Sequence, residues 1–267
     1  MLNMAKPTPR EQWIDVNGYR LWVQIHPAPA SPDERAPLVF LHEGLGAIGF
    51  WRDLPARLAR QTGRAAVVFD RRGYGRSSPC TEVRQIDYLH VEAYQFFPPL
   101  LDRLNIQKAV LIGHSDGGSI ALLFGAKFPQ RCTGIVTEAA HVFVDETTLT
   151  GIREAVAAYR GKLRPRLKRY HGEQTDAVFF AWADTWLAPW FRAWRITDDI
   201  AGVQCPVLAI QGADDPYGEP AQVEAIVHSV AGPARPLIMP GVGHAPHLEA
   251  REAFTAALVE FAENLKE

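Results

Sequence analysis

The sequence predicts an α/β fold, a mostly parallel sheet flanked by helices with a helical cap inserted into it. Two patterns carry that expectation. Short apolar runs rich in strand formers alternate with longer stretches whose apolar positions recur at helical spacing. One interval, 147–204, is too long for a simple crossover; it is helical in character and holds its own aromatic cluster. The expected units are therefore a core, 1–146 and 205–267, and a cap, 147–204.

In chain order, QWIDV and YRLWVQIH, joined by Asn17-Gly18, predict a β-hairpin, because Asn-Gly supplies the positive φ that a tight turn needs. A Pro/Ala/Ser-rich connector, 27–37, follows. PLVFLH, AAVVFD, AVLIGH, GIVTEAA, PVLAIQG and RPLIMP then read as strands, apolar on both faces as in a buried parallel sheet. Helices are expected over 51–61, 118–127, 219–230 and 251–265. Pro98-Pro99 interrupts the pattern of 91–104 and predicts a kink or two pieces.

Composition narrows the class. With 267 residues, 47% apolar and 22% charged, the chain fits one large globular domain with a sizeable core. A net charge of −2 gives no global pull toward nucleic acid or an anionic membrane, and neither is an expected partner. Cys80, Cys132 and Cys205 are scattered and form no Cys-x-x-Cys pair, so reduced thiols are expected, buried at Cys132 and Cys205. MLNMAKPTPR has no apolar signal core and no stretch approaches a membrane span, so the expected setting is cytoplasmic. Oligomeric state leaves no trace in the spacing.

Gly113-His114-Ser115-Asp116-Gly117 matches G-x-S-x-G. A glycine-rich connector would match the same letters. Here the motif follows the strand AVLIG and opens the helix GSIALLFGAK, and that context points to a nucleophile at Ser115. The turn is strained, so small residues must flank the serine, and the helix N-terminus aims amide donors at the reacting oxygen. A lone serine is a poor nucleophile and needs a base and an orienting acid. Asp214 and Asp215 follow PVLAIQG, and His244 follows RPLIMP, so all three elements fall at C-terminal strand ends, where open α/β sheets place their sites. Of nine histidines, His244 alone has this order and placement. His26, His90, His171 and His228 read as surface or packing residues, and His247 as structural.

With these residues in place the chain resembles the α/β-hydrolase fold family over essentially its whole length. LHEGLG (41–46) is similar to the family's oxyanion loop, and DRRGYGRS (70–77) to its turn after the fourth strand. GADD (212–215) resembles Gly-x-x-Asp, which puts the acid at Asp215 rather than Asp214 or the more distant Glu138. GHAPHLE (243–249) resembles the family's histidine loop. The resemblance implies a Ser115–His244–Asp215 triad and an oxyanion hole of backbone amides from Asp116 and Gly44, with Glu43 as the neighbouring candidate. It also implies a small-molecule substrate, but which one the shared fold does not say.

The expected reaction is hydrolysis of a carboxylic ester, with lactone, thioester and C–C hydrolysis as alternatives, and a non-catalytic scaffold as the alternative from another class. A serine in the elbow argues against haloalkane dehalogenases and epoxide hydrolases, which use aspartate there. C–C hydrolases of ring-cleavage pathways tend to show Gly-His-Trp-Ala-Gln where this chain has GHAPH. No metal is expected, since Pro246 separates His244 from His247 and no cysteine or carboxylate spacing completes a zinc set. LHEGLGAIG lacks the spacing of a phosphate-binding loop, so no nucleotide cofactor is expected either.

Trp182, Trp186, Trp190 and Trp194 recur every four residues, with Phe179, Phe180 and Phe191 among them. Such spacing is first a packing signal; because a cap roofs the site, Trp182, Trp186 and Trp190 are also pocket candidates, with His114 beside the nucleophile. They suggest an apolar or aromatic substrate. The basic run from Arg160 to Arg169 reads as a solvated helix face, with attraction of an anionic substrate as the functional alternative. Glu43 stands where the family usually has glycine; its carboxylate is expected on backbone amides of the loop, the alternative being contact with a substrate hydroxyl or cation.

Overall fold

The computed structural model describes residues 8–28 and 35–266, so residues 1–7 and the middle of the 27–37 connector lie outside the described residues. β1 (Arg10–Val16) and β2 (Tyr19–His26) form the expected antiparallel hairpin. Its turn residues Asn17 and Gly18 have φ of 46° and 84°, the double positive φ that Asn-Gly supplies cheaply. β3 (Leu38–Leu41), β4 (Ala66–Phe69), β5 (Ala109–His114), β6 (Cys132–Glu138), β7 (Val207–Gly212) and β8 (Ala234–Met239) complete one sheet, ordered β1-β2-β4-β3-β5-β6-β7-β8. β3 to β8 run parallel, and β2 joins β4 antiparallel. β8 departs from the expected two-sided burial. As the edge strand it leaves Arg235, Pro236 and Ile238 exposed.

The order reverses around β3, with β4 on one side and β5 on the other. Ligand sites of open α/β sheets form at such a reversal, beyond the strands' C-terminal ends. Leu41 pairs with Gly113, so the segments that leave β3 and β5 start side by side.

Helices cover both faces: α1 (Leu54–Thr62), α2 (Tyr88–Val91), α3 (Phe97–Arg103) and α4 (Asp116–Lys127) come first. Between β6 and β7 lie α5 (Glu146–Ala158), α6 (Arg164–His171) and α7 (Thr175–Leu187), followed by α8 (Pro220–Ser229), α9 (Pro246–Glu249) and α10 (Arg251–Glu263). α1 starts with Pro55 in its first turn and stops at Gly63, left-handed at φ 68°. The break expected near Pro98-Pro99 is a π-helical turn, Glu92–Phe96, which widens the helix where proline cannot donate. α5 is capped by Asp145, which accepts from the Thr148 amide at 2.7 Å.

One apolar cluster joins Leu41, Tyr88 and Ile120 with Phe179, Trp186 and Phe191, so the aromatic residues between β6 and β7 pack on α2 and α4. The other fills the opposite face of the sheet, where Phe40, Val68 and Ile112 meet Leu58, Phe254 and Leu258. Cys132 and Cys205 are buried free thiols, as expected. Among the described residues no helix is long and apolar enough to cross a membrane.

Candidate active site

Ser115 sits between β5 and α4 at φ 50° and ψ −118°, a backbone region costly for any residue with a Cβ. Its amide donates to the Glu138 carbonyl at 2.8 Å, and its carbonyl receives Gly118 N–H at 2.8 Å and Ser119 N–H at 3.1 Å. Those bonds hold the strain in place. A side chain at Gly113 would overlap the Gly117 carbonyl, and one at Gly117 would overlap the Leu41 carbonyl. Sterics therefore require the two glycines of the motif.

The loop after β3 is fixed from beneath. His42 is buried; its Nε2 accepts the Arg71 amide at 3.0 Å, so its proton lies on Nδ1, 2.8 Å from the Glu43 carbonyl. Burial, helped by Arg71, holds the His42 pKa well below the ordinary histidine value and keeps the ring neutral. The Glu43 carbonyl also accepts from Arg71 Nη2 at 2.9 Å and Gly46 N–H at 3.1 Å. A trans peptide sets its N–H opposite its carbonyl, so the Gly44 N–H faces away from these donors, and Gly44 lines the cavity. The Asp116 N–H, first in α4, has no intrahelical acceptor. Asp116's carboxylate turns elsewhere, to Tyr88 Oη at 3.1 Å and Arg71 at 3.6 Å.

The turn after β4 supports the same loop. Asp70 accepts from Ile48 N–H at 2.7 Å and Arg76 N–H at 2.9 Å, and burial pushes its pKa up to about 6. His171, expected at the surface or in packing, is buried; it accepts from Gly75 N–H at 3.0 Å and donates to the Leu45 carbonyl at 2.9 Å. α6 is thereby pinned to both loops.

His244 Nδ1 lies 2.8 and 3.0 Å from the two carboxylate oxygens of Asp215. Asp215 also accepts from Gln211 Nε2 at 2.5 Å and Tyr217 N–H at 2.8 Å. Burial alone would raise the Asp215 pKa and lower that of His244. Their mutual attraction outweighs both, so the acid is held below its ordinary value and the histidine above its own. Asp214 is exposed, with its amide on the Val242 carbonyl. Ser115 and His244 line one cavity of about 240 Å³. Among the described residues no hydrogen bond joins Ser115 Oγ to His244, a contact that in free enzymes commonly tightens only with substrate.

A second carboxylate–histidine pair lies behind the first. Glu138, fully buried at the end of β6, accepts both the backbone N–H (2.7 Å) and Nδ1 (2.8 Å) of His247. His114 Nε2 donates to the His244 carbonyl at 2.7 Å, and Glu249 accepts the amides of Gly243 (2.8 Å) and Ala245 (3.0 Å). The loop that carries His244 is thus clamped from several directions. In space Glu43 lies with His114 and His244, and Glu138 with His114 and His247, their ligand-type atoms within 4.8 Å. Linear spacing does not reveal either grouping.

Two expected pocket residues, Trp190 and His114, fall elsewhere. Trp182 and Trp186 line the cavity, but Trp190 does not; it is 47% exposed. α7 ends at Leu187, and Pro189 opens a 3-10 turn that swings Trp190 to solvent. His114 is buried under the His244 loop instead of lining the cavity. Glu43 reverses its expectation. Its carboxylate takes no backbone amide among the described residues; it lines the cavity, 3.9 Å from His114 Nδ1. His141, Tyr217, Tyr170 and Arg52 also line it and escaped sequence reasoning. His141 follows the end of β6, a position the strand-end rule could have flagged.

The kinship agrees with this architecture. A family model described as alpha/beta hydrolase fold matches residues 36–191. The chain is 28% identical over 204 residues to serine hydrolase BPHL of Homo sapiens, covering 73% of this chain and 68% of that one. It is 30% identical over 252 residues to the pimeloyl-[acyl-carrier protein] methyl ester esterase of Edwardsiella ictaluri, covering 85% of this chain and 93% of that one. An alpha/beta hydrolase fold protein from Chitinophaga pinensis superposes with a TM-score of 0.76 at 19% identity, covering 96% of this chain and 98% of that structure. The chain belongs to the α/β-hydrolase fold family and is a hydrolase.

Proposed function

We propose that the protein cleaves a carboxylic ester of a small substrate through an acyl-enzyme on Ser115. His244 takes the serine proton and returns it to the leaving alcohol. Asp215 holds the ring so that Nδ1 carries the proton and Nε2 is free to accept. The Gly44 and Asp116 amides receive the developing oxyanion, each such donor being worth about 3–4 kcal/mol of barrier. Water then enters by the same acid–base route and releases the acid. The observation that carries this reading is the Asp215–His244 pair, 2.8 Å apart, with His244 on the wall of a cavity that the strained Ser115 also lines. Leu45, Phe50, Trp182 and Trp186 on the same walls favour an apolar or aromatic group beside the ester. An esterase among the relatives agrees with this reaction class.

The test is chemical. A fluorophosphonate should label the wild type once, at Ser115, and Ser115→Ala should abolish hydrolysis of 4-nitrophenyl esters with the thermal transition unchanged. Labelling at another residue, or hydrolysis that survives the substitution, would sink the proposal.

A further inference from the structure

The basic run 160–169 divides in two. Arg164 is paired with Asp176 at 2.7 Å and Lys168 with Glu173 at 3.6 Å. Arg166 and Arg169, three apart on α6 and so on one face, have no ion pair or hydrogen bond among the described residues; both line the active-site cavity. Arg52 lines it from the opposite unit and is likewise without a side-chain partner among the described residues. Asp53, next to Arg52 in the chain, is engaged by Arg251. Arg52 also holds φ 54° and ψ −127°, a conformation as unfavourable for a side-chain-bearing residue as that of Ser115. All three arginines are exposed, whereas Ser115, His141 and Trp186 are buried. The cavity therefore runs from an enclosed floor to a cationic mouth.

We propose that Arg52, Arg166 and Arg169 form an anion site at this mouth, so the preferred substrate carries a carboxylate or phosphate at the end away from the scissile bond. The inference rests on the ester-hydrolase reading above and supplies its substrate class. Guanidinium groups take either anion through charge-assisted, bidentate hydrogen bonds. Two like charges on one helix face disfavour each other when unpaired, and a bound anion relieves that cost. A plain alkyl ester would leave the mouth as it is.

Two matched substrate pairs test the site. The first is 4-nitrophenyl hydrogen glutarate against its methyl-capped ester, which differ by one carboxylate. The second is an S-acyl 4′-phosphopantetheine against the same S-acyl pantetheine, which differ by one phosphate. In the wild type at low salt, kcat/KM for the anionic member of at least one pair should exceed that of the neutral member by about tenfold. The ratio should fall toward one in high salt and in the combined Arg52→Gln, Arg166→Gln, Arg169→Gln variant. Preference within the first pair alone assigns a carboxylate, and within the second alone a phosphate. A ratio near one for both pairs in the wild type, or a ratio that survives the triple variant, overturns the anion site.

A second readout separates this inference from its parent. Calorimetric titration of Ser115→Ala with the two glutarate esters measures binding without turnover. Tighter binding of the free carboxylate, lost when the three arginines are also replaced, supports the site even in an enzyme that cleaves neither ester. Equal binding within this pair and also within the thioester pair overturns it, although Ser115-dependent hydrolysis of the neutral ester would leave the esterase reading intact.

Discussion

Two histidines three residues apart each bond a buried carboxylate at 2.8 Å, yet they sit in opposite chemical situations. His244 uses Nδ1 on Asp215, and its remaining edge faces the cavity. His247 uses Nδ1 on Glu138, and its Nε2 lies 3.3 Å from the Phe50 carbonyl, so both nitrogens are spent on protein. A base needs a free lone pair within reach of the proton it takes. An ion pair alone does not make a catalytic residue; the unoccupied nitrogen does. The second pair has mechanical value, since it ties the strand end behind Ser115 to the loop that carries His244.

The largest effect should separate the pairs by chemistry. Asp215→Asn should lower kcat on 4-nitrophenyl esters by about 10⁴, because an amide facing Nδ1 no longer favours the tautomer that accepts the serine proton. Asp214→Asn, an exposed change, should leave kcat within about twofold. A larger loss at Asp214 would mean that the wrong carboxylate has been paired with His244.

Glu138→Gln should separate them by stability. The substitution leaves His247 buried without its counter-charge, and breaking one side of a buried pair typically costs about 3–5 kcal/mol. In a chain of this size that corresponds to a fall in Tm of about 10 °C. Burial alone would raise Glu138 and lower His247, but their attraction holds the acid below its ordinary value and the histidine above its own. The lowered acid contributes stability that is present above its unfolded pKa and lost as pH falls through the folded one. The raised histidine contributes stability that is complete below its unfolded pKa and lost as pH rises through the folded one. The Tm gap between wild type and variant should therefore be widest between about pH 5 and 6 and close on both sides. A kcat loss comparable to that of Asp215→Asn, with Tm unchanged, would make Glu138 part of the chemistry instead.

The same contrast explains what the sequence made legible. The hairpin, the strands and the Ser115 turn are written in adjacent residues, through Asn17-Gly18, apolar runs and paired glycines. Asp215 and His244 could be found because each follows a recognisable strand. The Glu138–His247 bond joins residues 109 apart, and although each stood out singly, nothing local to either pairs them. Trp190 misled because four-residue spacing describes a helix, whereas the helix stops before it at Leu187. The basic run was legible as charge, but which arginines lack partners depends on Asp176 and Glu173 and on how α6 faces the cavity. Glu43 was visible as a departure; its direction was not.

The smallest expected effect concerns that residue, and it probes the difference between the two histidines most finely. Asp215 accounts for most of the upward pull on His244, and the Glu43 carboxylate adds to it through space. On His247, Glu43 is a minor influence behind Glu138 and the Phe50 carbonyl. In the proposed mechanism His244 must be neutral to accept the serine proton, so kcat/KM should fall as pH drops through its pKa. With that pKa raised, the acid limb of the wild type should lie above the ordinary histidine value of about 6.5. Glu43→Gln keeps the size and removes the charge, so the limb should move to lower pH. The plateau rate is a poorer guide, because the lost charge helps the oxyanion and harms the imidazolium at the same time. Only the limb reads the coupling to His244 by itself. If it stays in place while Tm alone changes, Glu43 packs the cavity wall and does not tune the base.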